Sequence, residues 1–278
     1  MSDTLQLGTY ELTEAHFERV RDLLYRLCGI VLRPGKEGLV KARLSKRLRA
    51  LGLPGFADYL ALVEGDSGGE ELSFLVDSMT TNKTSFFREG AHFVFVTECL
   101  LPCWERQGRV RLWSAACSSG EEPYTLAMVL REHARIPPRL DVRILATDIS
   151  TRVLEQARRG QYSADKLQDV PAALRVRHFR PVDASEDGGP MMELDPEVRR
   201  MVGFARLNLM DAWPMKGPFD AIFCRNVMIY FDKQAQGKLI NRFHDLLAPG
   251  GHLFIGHSES LTGIVHRFRY VQPAVYLR

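Results

Sequence analysis

The apolar run Val110–Ala115 passes into the small residues Ala116-Cys-Ser-Ser-Gly120 and then into Glu121-Glu-Pro-Tyr124. Small side chains let a ligand approach the backbone, and a helix starting at Glu121 offers unpaired N–H groups. The same pattern also describes a tight strand-to-helix turn. It is not a GxGxxG dinucleotide fingerprint, because Gly120 is its only glycine. A second apolar run, Val142–Thr147, ends in Asp148. An acid there either accepts hydrogen bonds from both hydroxyls of a ribose or caps the next helix. Asn208 follows a third run, where its amide either reads an adenine edge or makes a turn. A fourth run, Phe219–Cys224, leads directly into Arg225 and Asn226. Taken together, these residues point to an adenosine-containing ligand.

No His–acid or Cys–His pair suggests an activated nucleophile. The five cysteines, Cys28, Cys99, Cys103, Cys117 and Cys224, contain no CxxC pair and are odd in number, so neither a disulfide framework nor a zinc set is expected. Cys99 and Cys103 read as two small residues on a half-buried helix face. Cys117 lies inside the small-residue turn, where it would make a ligand site sensitive to thiol reagents.

Stepping outward, residues 109–278 alternate strands with helices: helices at Glu121–Ala134, Thr151–Arg159 and Lys233–Leu247, and further strands at Phe204–Leu207, His252–Ile255 and Tyr270–Tyr276. That rhythm predicts a doubly wound, mostly parallel α/β sheet, whose ligands sit beyond the carboxyl ends of its strands. Residues 161–203 are too long for a simple connection. Their candidate strands, Val176–Arg180 and Met191–Leu194, predict a small inserted β-subdomain. The first 79 residues read as short helices, giving an all-α N-terminal domain. Thr13 caps the first helix, which stops at Gly29, and Val40, Leu44, Leu48 and Leu51 form one apolar stripe of the second. Gly65–Gly69 reads as a flexible break. Residues 80–108 link the two parts.

The composition, 45% apolar and 26% charged, is that of a globular protein. No apolar stretch is long enough to span a bilayer, and the acidic N-terminus is no signal peptide, so a cytoplasmic protein without membrane insertion is expected. A net charge of +3 gives no case for nucleic acid as a partner. A monomer is expected, since no long exposed apolar helix is evident. The charge is uneven, however: Arg33–Arg49 holds seven basic residues and one acid. Such a run is either a solvated face or a surface for an acidic partner.

Four segments, Thr81–Glu89 (TNKTSFFRE), Trp113–Tyr124 (WSAACSSGEEPY), Phe219–Asp232 (FDAIFCRNVMIYFD) and Gly256–Ser260 (GHSES), occur in one order along nearly the whole chain. In these the sequence resembles the CheR-type family of glutamate O-methyltransferases that act on methyl-accepting chemotaxis receptors. The resemblance implies a Rossmann-like S-adenosylmethionine-dependent methyltransferase sheet and esterification of receptor glutamates for sensory adaptation. It further implies recruitment to receptor arrays at the inner membrane. By motif position, cofactor contacts fall on Asn82, Thr84, Arg88, Glu122, Asp148, Asn208, Leu209, Arg225 and Asn226. Arg88 and Tyr230 are candidates to shape the site around the methyl group, although Tyr230 reads equally as a core aromatic. The basic helix, with Lys41, Arg43, Lys46, Arg47 and Arg49, becomes a candidate receptor surface. The acidic loop Asp183–Pro190 does not clearly match a peptide-docking edge. Rival readings are a methyltransferase with another substrate, a cofactor-binding scaffold protein, and a nicotinamide-dependent dehydrogenase. The missing GxGxxG disfavours the dehydrogenase.

Overall fold

The computed structural model describes residues 10–65, 69–80, 82–133, 140–183 and 189–278. The N-terminal segment, most of the expected break at 65–69, Thr81, Ala134 and most of the loop at 183–190 therefore lie outside the described residues. The chain separates into two compact units, Met1–Thr81 and Asn82–Arg278.

Among the described residues the first unit has four helices: α1 (Glu14–Cys28), α2 (Glu37–Leu51), α3 (Phe56–Gly65) and α4 (Glu70–Met79). Thr13 caps α1 by accepting from the His16 N–H, and the His16 ring reciprocates; Gly29 closes the helix at φ 71°. Val40, Leu44 and Leu48 on α2 are fully buried, whereas Leu51, expected in the same stripe, sits exposed in the last turn.

The second unit opens with α5 (Ala91–Phe95), a π-helical turn (Val96–Leu100) and α6 (Leu101–Gln107). Thus much of the expected linker is helical. Cys99 and Cys103 are both exposed, not half-buried. Then come β1 (Arg109–Ala115), α7 (Glu121–His133), β2 (Asp141–Asp148) and α8 (Thr151–Arg159). The insertion holds β3 (Gln161–Ser163), α9 (Ala172–His178), β4 (Phe179–Val182), β5 (Met191–Leu194) and α10 (Pro196–Arg199). The chain ends with β6 (Val202–Arg206), β7 (Phe219–Cys224), α11 (Lys233–Leu246), β8 (Leu247–Ile255), β9 (Arg269–Gln272) and β10 (Val275–Leu277).

Seven strands form one sheet in the order β6-β2-β1-β7-β8-β10-β9. The first five are parallel, and β10 runs antiparallel to both β8 and β9. The doubly wound expectation holds, with an antiparallel hairpin at one edge. The single strand expected at Tyr270–Tyr276 is instead that hairpin, because Ala274 turns the chain at φ 63°. The insertion is a separate antiparallel sheet, β3-β5-β4. The strand expected at Val176–Arg180 is corrected: Val176 lies in α9 and pairing starts at Phe179.

The chain winds outward from β1 in both directions, so the order reverses between β1 and β7. Both strands are buried along most of their length, as expected for a sheet covered on two faces. Trp113 of β1 is fully buried and donates its indole N–H to Thr147 Oγ1 at 2.9 Å, locking β1 to β2. A crevice at such a reversal, beyond the carboxyl ends, is where open α/β sheets hold ligands.

Candidate cofactor and active site

Loops leave the carboxyl edge of the sheet after β1, β2, β6, β7 and β8, and with the start of α7 they carry Glu122, Asp148, Asn208, Leu209, Arg225, Asn226 and Tyr230. The turn after β1 is conformationally costly. Ala116 and Ser118 have φ of 69° and 50°, and Gly120 has φ of 94°. A Cβ on Gly120 would lie 2.9 Å from the Ala157 Cβ, so that position requires glycine. Phe87, Glu89 and Asn226 also have positive φ, at 55°, 57° and 59°. Among the described residues, strained backbone therefore gathers at this edge, where surrounding contacts must hold it.

Those contacts are explicit. Asp148, 6% exposed, accepts from the Ser118 N–H at 2.8 Å and the Ser150 N–H at 3.0 Å. It does not cap α8; Ser150 does, accepting from the Val153 N–H. A buried, oriented carboxylate beside a small-residue turn suits the two hydroxyls of a ribose. Asn208 Oδ1 accepts from the Met210 N–H at 3.0 Å, so its carbonyl makes a turn, and the buried Leu209 follows it.

Arg225, almost fully buried, joins three segments. It donates to Glu122 at 2.9 Å, to Glu89 at 3.0 Å and to the Arg88 carbonyl. Glu122 is fixed from its other side by Ser114 Oγ at 2.7 Å. Asn226 Nδ2 reaches Glu89 at 3.3 Å. Burial works against the Glu89 carboxylate. The Arg225 charge and hydrogen bonds from Arg225, Asn226 and His257 outweigh it and hold the group below the usual carboxylate range. Beside this cluster, burial and then the Arg225 charge push the His92 imidazole down to about 3, so it is neutral.

The segment carrying Asn82, Thr84 and Arg88 lies over the same edge. The Asn82 carbonyl accepts from Ser118 Oγ at 3.0 Å, and the Phe87 N–H donates to Thr125 at 3.2 Å. Thr84 is half-buried. The Arg88 guanidinium donates to the Lys83 carbonyl at 2.9 Å. Tyr230 is half-buried in a 3-10 turn, so it is not a core aromatic.

Sequence reading missed two members of the site. Glu89 closes the TNKTSFFRE segment, yet its partner Arg225 lies 136 residues away. Glu259, in GHSES, accepts from the N–H groups of Asn226 at 2.8 Å, Gly256 at 2.6 Å and Ile229 at 3.3 Å. It thereby ties the loop after β7 to the loop after β8. Burial raises its carboxyl above the usual range, against those backbone bonds. The expected reactivity of Cys117 is corrected: the thiol is 2% exposed and burial pushes it well up, so little thiolate forms.

Of the five basic residues on α2, two are engaged within the helical unit. Arg43 donates to the carbonyls of Ser78, Met79 and Thr80 at 3.0–3.3 Å, closing the end of α4. Arg47 forks onto the buried Glu71, at 2.6 Å for the shortest contact, and lies 4.1 Å over the Phe74 ring. Lys46 and Arg49 are exposed, and Lys41 is partly so.

Residues 82–277 match the family described as CheR methyltransferase, SAM binding domain, and residues 15–80 its all-alpha domain. A chemotaxis protein methyltransferase 2 of Pseudomonas aeruginosa is 42% identical over 270 residues, covering 96% of this chain and 94% of that protein. A chemotaxis protein methyltransferase of Escherichia coli is 41% identical, over 95% of this chain and 91% of its own length. One of Borreliella burgdorferi is 39% identical, over 95% and 94%.

Proposed function

The chain belongs to the CheR methyltransferase family, S-adenosylmethionine-dependent enzymes, and from that premise we propose that it esterifies glutamate side chains of chemotaxis receptors. The observation that carries this reading is the convergence at the β1/β7 reversal: Arg225 joins Glu89 and Glu122 while Asp148 faces the small-residue turn. S-adenosylmethionine supplies the methyl group as an electrophilic sulfonium. Asp148 receives the ribose hydroxyls, and Asn208 with Leu209 borders the adenine. Asn82, Thr84, Arg88, Glu122, Arg225 and Asn226 orient the methionyl end.

A glutamate with a pKa near ~4.3 is already ionised at neutral pH, so no general base is required. The protein's task is alignment and exclusion of water. The Arg225 bridge suits that task, because it ties the Arg88–Glu89 segment and the start of α7 to the loop after β7 before substrate arrives. Arg88 and Tyr230 shape the space around the transferred methyl. A Tyr230→Phe enzyme with unchanged turnover would remove Tyr230 from this role.

In this reading the helical unit, about residues 1–79, contacts the receptor, and 80–108 brings cofactor contacts to the methyltransferase part at 109–278. The insertion at about 161–203 offers a second contact. No described helix is long and apolar enough to cross a membrane, and the chain is recruited to receptors through its basic helix, acting as a monomer. Lys46 and Arg49, with Lys41, supply the steering charge. Reversal of both, Lys46→Glu with Arg49→Glu, is expected to raise KM for receptor about tenfold and leave cofactor affinity unchanged. Equal KM values would make α2 a surface without this role.

A further inference from the structure

At the Arg225 bridge three ligating side chains converge, and two of them, His92 and His257, have no part in the proposed methyl transfer. Glu89, His92 and His257 each present a ligand atom, and these atoms all lie within 4.8 Å of one another. Glu89 Oε2 stands 3.7 Å from His92 Nδ1, too far for a hydrogen bond. His257 enters from the loop after β8. Its N–H donates to Glu89 Oε2 at 3.2 Å, and its ring lies edge-on to His92 with centroids 4.8 Å apart. The three residues are therefore drawn from two segments 168 residues apart.

A second observation points to a ligand. His92 has no solvent exposure, and neither of its ring nitrogens has a hydrogen-bond partner. Leaving a buried polar atom unpaired costs about 1–3 kcal/mol, and folded proteins rarely do so. Its aromatic neighbour Phe254, at 5.5 Å, satisfies neither nitrogen. The charge balance agrees: Glu89 and Glu122 face a single guanidinium, Arg225, at 3.0 and 2.9 Å. Two carboxylates against one cation leave a net negative charge among groups that are all at most 14% exposed.

We infer that Glu89, His92 and His257 bind one divalent transition-metal ion of the zinc class, and that the ion restrains the enzyme. Two imidazoles and a carboxylate are a set suited to zinc, with a fourth position left open. Magnesium and calcium prefer all-oxygen shells, and copper(I) prefers sulfur. Metal–ligand distances of about 2.0–2.2 Å require the ligand atoms to close up by about 1 Å. The exposed His257 ring has room for that movement. A metal-bound Glu89 shares its negative charge with the ion, which weakens its hold on Arg225 and Asn226 and loosens the bridge proposed to orient the cofactor. This consequence rests on the proposed cofactor site; the metal site itself does not.

The test is a cobalt(II) titration of the chelator-treated full-length chain, in a Cys99→Ser, Cys103→Ser background that removes the exposed thiols. One equivalent of cobalt should give a ligand-field absorption band. His257→Asn, on an exposed side chain that leaves the fold intact by circular dichroism, should weaken cobalt binding roughly 100-fold. Absence of a band, or a band unchanged in His257→Asn, overturns the site. Calorimetry with S-adenosylmethionine, with and without one equivalent of zinc, reads the restraint: about tenfold weaker cofactor binding is expected. Unchanged affinity overturns the restraint. Failure of S-adenosylmethionine to bind even without zinc would instead count against the cofactor reading, and the cobalt band distinguishes the two failures.

Discussion

Arg225 holds two carboxylates and a carbonyl at once, and its geometry depends on a planar fork. A lysine in its place keeps the charge but reaches only one partner. Arg225→Lys is therefore expected to lower kcat/KM for S-adenosylmethionine about 100-fold, or about 2.7 kcal/mol, in steady-state kinetics. A loss below about threefold would mean that the bridge does not orient the cofactor. Arg225 was legible from its place after an apolar strand, and Glu122 from the SGEEPY motif. Glu89 was not, because nothing local connects it to a partner so far along the chain. Cys117 was read too simply: its position in the turn is correct, but the turn folds the thiol inward. Titration with an aromatic disulfide should find two fast thiols, Cys99 and Cys103, and three slow ones, Cys28, Cys117 and Cys224. A third fast thiol would show that the turn opens in solution.

At the scale of elements, the inserted subdomain braces the cofactor turn. Tyr162 of β3 donates to the Ser119 carbonyl at 2.8 Å, and Lys166 reaches the buried Glu121 at 2.8 Å. Tyr162→Phe should cost about 1 kcal/mol of stability by denaturant titration and weaken cofactor binding by calorimetry. An enzyme unchanged in both would make the insertion independent of the turn. The insertion's existence was legible from its length, yet one of its strands was misplaced. Val176 is β-branched among alternating residues, but it is 83% exposed, so the alternation reflected solvent and not a sheet face. Likewise, Tyr270–Tyr276 was read as one strand although Pro273, which cannot donate to a strand ladder and favours a turn, stands directly before Ala274. The strands that form the site were clearer because burial on both faces makes them continuous apolar runs. Glu259 belongs to this scale too. Glu259→Ala removes acceptors for three backbone N–H groups and should free the loop carrying Asn226 and Tyr230, seen as a higher KM for cofactor.

For the whole molecule, the two units were legible as a change from short helices to alternating strands and helices. The charge run on α2 was visible as well, but composition alone could not separate its roles. Arg43 and Arg47 hold α4 and Glu71, so Arg47→Ala should destabilise the helical unit, by about 1–3 kcal/mol, because the buried Glu71 loses its charged partner. Lys46→Ala should cost almost nothing, and equal melting losses for the two would contradict this division. The chemistry of the product tests the central claim most directly. Radiolabelled methyl from S-adenosylmethionine should enter receptor in membranes when the protein is added, and mild base should release it as methanol, because a glutamate ester hydrolyses where an N-methyl or S-methyl group does not. Label that enters receptor but resists base, or label that never enters it while cofactor binding is intact, would contradict the account.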